Sequence, residues 1–115
     1  MESDVRMFEG DLPYLEEMLR EVRQSVEGLR DIALANGADP DAQPTARLVA
    51  AGRGACNGIA AAIAEAKQHC AIVRAYLEAQ PHGDKYPAEI KESWEVLRSA
   101  LSYARQELLR MGAMF

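Results

Sequence analysis

Aromatic side chains are scarce in this sequence: one tryptophan, two phenylalanines and four tyrosines in 115 residues. Sheets draw on aromatic and β-branched residues, and no stretch alternates such residues at period two. Cysteine is almost absent as well. Cys56 and Cys70 are the only pair, and on one helix they would stand about 21 Å apart at 1.5 Å per residue. A disulfide needs Cα atoms within about 7 Å, so two buried, reduced thiols are expected. A long apolar run is missing too. The uncharged stretch from Gly54 to Ala64 is too short to span a bilayer. The opening "MESDVRMFEG" carries acids where a secretory signal needs basic residues. A cytoplasmic protein without a membrane role is expected. Finally there is no basic excess: 13 Lys and Arg stand against 18 Asp and Glu, a net charge of −5. That balance disfavours nucleic acid as a partner, since binding it rests on displacing counterions from phosphates.

What the chain has in quantity is alanine and leucine in helical spacing. Asp11 reads as an N-cap, Pro13 fits a first turn, and Asn36-Gly37 is a stop signal. Between them Leu12, Leu15, Leu19, Val22, Val26, Leu29 and Ala33 alternate steps of three and four, the spacing of a heptad seam. The proline-rich linker "ADPDAQP" leads to a second helix, which Pro81 and Gly83 end. Val49, Gly52, Cys56, Ile59, Ile63, Ala66, Cys70, Val73 and Leu77 form its seam. In the third helix Ile90, Trp94, Leu97, Leu101, Ala104, Leu108 and Met111 do the same, and Phe115 could fold back past Gly112. The expected fold is all-α: helices over 11–36, 44–80 and 86–112 in one domain, an antiparallel three-helix bundle, because short loops join antiparallel neighbours.

The second helix holds Gly52, Gly54 and Gly58, each costing about 1 kcal/mol against alanine. At steps of four, Ala46, Ala50, Gly54, Gly58, Ala62, Ala66 and Cys70 are all small. A ridge without bulk lets another helix approach closely. The second helix also looks about ten residues longer than its neighbours, leaving an overhang of about 15 Å to cover. The expectation is that a second copy of the chain packs there, with Ala50, Gly54, Gly58, Ala62 and Ala66 as the oligomer interface. The competing expectation is a kink at the glycines that breaks this helix in two.

Few residues suggest chemistry. Gly52 to Gly58 lacks the preceding strand and the Lys-Ser/Thr pair of a phosphate loop. Glu65 and His69, one helical turn apart, could share a metal only if symmetry doubled them. No nucleophile, base and acid assemble into a set, so no catalytic residue, cofactor or metal is expected. Arg53 lies within the small-residue stretch and calls for an anion: an acid of this or a second chain, or a small ligand. Residues 1–41 carry eleven acids and four bases, an imbalance that could address a basic surface. Tyr14, Glu16 and Glu17 are the expected partner contacts. The functional expectation is a small acidic helical interaction module, a homo-oligomer that regulates, adapts or inhibits another protein. A bundle binding an anionic metabolite or nucleotide at the oligomer interface is the alternative, and a metal-dependent enzyme the third.

Overall fold

The described residues form three helices: α1 (Glu2–Ala35), α2 (Thr45–Ala79) and α3 (Ala88–Met114). The structure, a computed structural model, describes residues 1–79 and 86–114. The expected stop signals at Pro81 and Gly83, and the position of Phe115, lie outside the described residues. No strand occurs among the described residues. α2 is the central element. Both α1 and α3 pack chiefly on it and touch each other less. The bundle measures 64 × 21 × 18 Å.

α1 begins nine residues before the expected start. Asp11 is not its N-cap, and Gly10, Asp11 and Pro13 all lie inside the helix. The reason is burial. Val5 and Phe8 continue the three-four seam of Leu12, Leu15 and Leu19, and all five are buried. The Phe8 ring meets Trp94 of α3 at 5.3 Å between centroids. Burying a valine and a phenylalanine contributes about 1.5–3 kcal/mol each. That offsets about 3 kcal/mol for an internal proline and about 1 kcal/mol for a glycine. The end of α1 follows the sequence signal. Gly37 takes φ 74°, the Gly37 amide donates to the Leu34 carbonyl, and the Ala38 amide donates to the Ala33 carbonyl. This pair of bonds is the Schellman closure, and its left-handed residue favours glycine.

α2 is one unbroken helix through Gly52, Gly54 and Gly58, so the competing expectation of two helical pieces is not met. Nor does α2 overhang α1: it has 35 residues against 34 in α1 and 27 in α3. α3 starts at Ala88, where the Pro87 carbonyl accepts from the Ile90 and Lys91 amides, and it runs through Gly112 to Met114. One apolar core draws on all three helices, with Leu15, Ile59, Leu97, Leu101 and Leu108 among its best buried members.

Ion pairs run between the helices. Glu27, Glu16 and Glu9, read backwards along α1, meet Arg53, Lys67 and Arg74, read forwards along α2. Asp11 of α1 meets Arg105 of α3.

Candidate interaction surfaces

The small ridge of α2 is not one surface. Ala50 and Gly54 are exposed, Gly58 is half-buried, and Ala62 and Ala66 lie in the chain's own core. A step of four residues turns a helix by about 400°, so such a row drifts about 40° at each step. The row therefore starts in solvent and ends against α1 and α3. Ala62 and Ala66 cannot serve as oligomer contacts. Gly58 is occupied from within: a Cβ there would stand 3.2 Å from the Tyr103 hydroxyl. Around Gly54 a Cβ would meet nothing within 4 Å.

A different line on α2 is open from end to end. From Arg47 the positions at alternating steps of three and four run through Ala50, Gly54, Asn57 and Ala61 to Ala75 and Glu78, and every one is exposed. Most sit two residues from a core position, which is about 200° around the helix, so the line is the back of α2. Between Arg47 and Glu78 it carries no charge. The exposed sides of α1 and α3 are charged by contrast, with Arg6, Glu17 and Arg20 on one and Lys91, Glu95 and Arg98 on the other. The two charges that close the line run against the dipole of their own helix. Arg47 lies in the first turn and Glu78 in the last, and the first turn of α2 has no acid and the last no base. A charge so placed costs about 0.3–1 kcal/mol. Neither forms a direct ion pair among the described residues; Arg74, one turn before Glu78, attracts it from a distance and is itself paired with Glu9. Sequence reasoning followed the row at steps of four and missed this line. Its signal was the core spacing repeated on the opposite side of the helix.

The other expected site residues fall on α1 and α2 as follows. Arg53 donates to both carboxylate oxygens of Glu27, at 2.6 and 2.7 Å. The bond holds the Glu27 carboxyl below its usual range, so the anion at Arg53 is an acid of the same chain. Glu16 pairs with Lys67, and Glu17 pairs with Arg20 one turn on. Tyr14 is 66% exposed. Glu2 and Asp4 do not precede α1 but form its first turn, where the dipole favours acids. Glu9 is engaged by Arg74. Of the expected partner surface, only Tyr14 is solvent-facing without a charged neighbour binding it.

Glu65 and His69 gain no further ligands among the described residues. No group of three or more His, Cys, Asp or Glu is placed to hold a metal ion among the described residues. The Nδ1 atom of His69 is buried without a hydrogen-bond partner among the described residues. Glu65 faces Glu95 across an open groove between α2 and α3 that Tyr103 and Gly58 also line. Cys56 and Cys70 are free and buried. Burial pushes both thiols up, and Arg23 beside Cys56 only partly counters it. No helix among the described residues is long and apolar enough to cross a membrane.

No family model, curated protein or solved structure matches this chain. The surfaces themselves are the ground for a functional reading.

Proposed function

We propose that this chain is a protein-interaction module that works as a homodimer through the back of α2 and regulates, adapts or inhibits another protein. The observation that carries it is the uncharged, exposed line from Ala50 to Ala75. A helix back left to water is ordinarily charged, whereas this one is alanine and glycine broken only by the amides Asn57 and Gln68. The reading includes an antiparallel bundle, supported by the reversed order of the α1–α2 ion pairs. It includes a cytoplasmic location, which the two free thiols suit. The alternative of an anionic ligand at Arg53 would require displacing Glu27 from both guanidinium bonds.

The test is solution mass against concentration. Wild type should rise from the 12.6 kDa of one chain towards twice that mass. Gly54→Leu should stay at one chain, with its helical content unchanged, because open space surrounds that position within the monomer. A wild type that remains monomeric at a few hundred micromolar, about the weak end of specific association, overturns the reading.

A further inference from the structure

Small residues alone select no occupant for the back of α2; the polar residues among them do. We propose that the occupant is α2 of a second copy, in one antiparallel register with the two-fold axis between Ala61 and Ala64. The proposal rests on the dimer reading above and specifies its geometry.

Reversing the line onto itself about that axis sets Ala61 against the partner's Ala64. It then sets Asn57 against the partner's Gln68, and Gly54 against the partner's Ala71. Ala50 meets the partner's Ala75, and Arg47 meets the partner's Glu78. Between these amide and charge pairs small faces small, at 50–75, 54–71 and 61–64, so the helix axes can approach closely there. Each side-chain amide meets another, which can both donate and accept. Each closing charge meets its opposite.

Three comparisons single out this arrangement. A parallel pairing in register would set Arg47 on Arg47 and Glu78 on Glu78. An antiparallel pairing slipped by one heptad would set Asn57 and Gln68 on alanine or glycine, and Arg47 or Glu78 on a small residue. The third comparison is independent of the spacing. Arg47 and Glu78 oppose the dipole of their own helix, but antiparallel pairing places each beside the other helix's opposite end. Arg47 then lies at the negative C-terminus of the partner helix and Glu78 at its positive N-terminus. Placement that is unfavourable in one chain becomes favourable in two.

The line is about 46 Å long. One helix width of contact over that length buries about 900 Å² in total, which is at the small end for specific pairs. An interface of that size belongs with weak, transient pairs, so the dimer should dissociate on dilution.

The experiment mixes two single variants, Asn57→Cys and Gln68→Cys, in equal amounts under mild oxidation and weighs the disulfides by mass spectrometry. The mixed 57–68 species should exceed both symmetric species by about tenfold, and wild type should give none because its own thiols are buried. Charge reversal supplies the second measurement. Arg47→Glu and Glu78→Arg should each weaken the dimer about fivefold at low salt, since two symmetric pairs turn repulsive. The double variant should return to within about twofold of wild type. Both positions are exposed, and circular dichroism checks that helical content is kept. If wild type dimerises but the mixed variants yield mainly 57–57 and 68–68 disulfides, the register is overturned and the dimer reading stands; charge reversals that add rather than compensate do the same. A monomer at all concentrations overturns both.

Discussion

At the scale of the residue, two glycines of α2 do different things. Gly58 leaves room for the hydroxyl of Tyr103, and nothing near it in sequence announces a tyrosine arriving from α3. Gly54 makes room for nothing among the described residues of its own chain. Gly58→Ala should remain folded with a net gain below about 1 kcal/mol, because the exposed Tyr103 side chain can swing away and helix propensity improves. Gly58→Leu should cost about 1–3 kcal/mol, because a branched side chain must expel the ring. Urea denaturation of the two variants checks the pair. The cysteines were easier to read, since their place on the apolar seam follows from spacing alone. With burial raising both thiols, native Cys56 and Cys70 should react with a thiol reagent at least about a hundredfold slower than in denaturant. Fast labelling of either in the native protein would contradict their burial.

At the scale of the element, the heptad seams of all three helices were legible because burial at steps of three and four is a local pattern. The start of α1 was not. Gly10 and Pro13 argue against helix within a few residues, whereas Phe8 is buried against Trp94 of α3, which is remote in sequence. Phe8→Ala should therefore cost about 3 kcal/mol and alter the fluorescence of the single tryptophan. If stability is unchanged, the first turns of α1 are not packed as described. Ala62 and Ala66 were misread for a related reason: a four-step row was followed without its drift around the helix. The Arg53–Glu27 bond between α1 and α2 gives a pH signature. The Glu27 carboxyl is held below its ordinary value of 4.5. A depressed acid stabilises above the unfolded value, and its contribution disappears as pH falls through the folded value. Thermal midpoints of wild type and Glu27→Gln should differ at pH 7 and converge in acid below the ordinary value. Equal midpoints at neutral pH would mean that the exposed pair contributes nothing, as many surface pairs do.

At the scale of the whole molecule, the charge excess of the first third was legible, but its use was not. Most of those acids turn out to be held by basic side chains of the bundle or by the start of α1. If α1 contacts a basic partner, Tyr14→Ala should mainly speed dissociation, while Glu17→Lys should slow association and reduce its salt dependence. Kinetics unmoved by both would remove α1 from the interface. The 64 × 21 × 18 Å outline has a consequence for how the molecule moves. A rod about three times longer than it is wide feels more drag than a sphere of equal mass. A single copy will therefore leave a gel-filtration column early, near the position of a compact globule considerably heavier than itself. If α2 pairs along its full length with α2 of a second copy, the assembly becomes thicker without becoming much longer. Its axial ratio falls, and mass doubles while the diffusion coefficient drops by less than the doubling suggests. Sedimentation and diffusion measured together should show the frictional ratio decreasing as concentration rises.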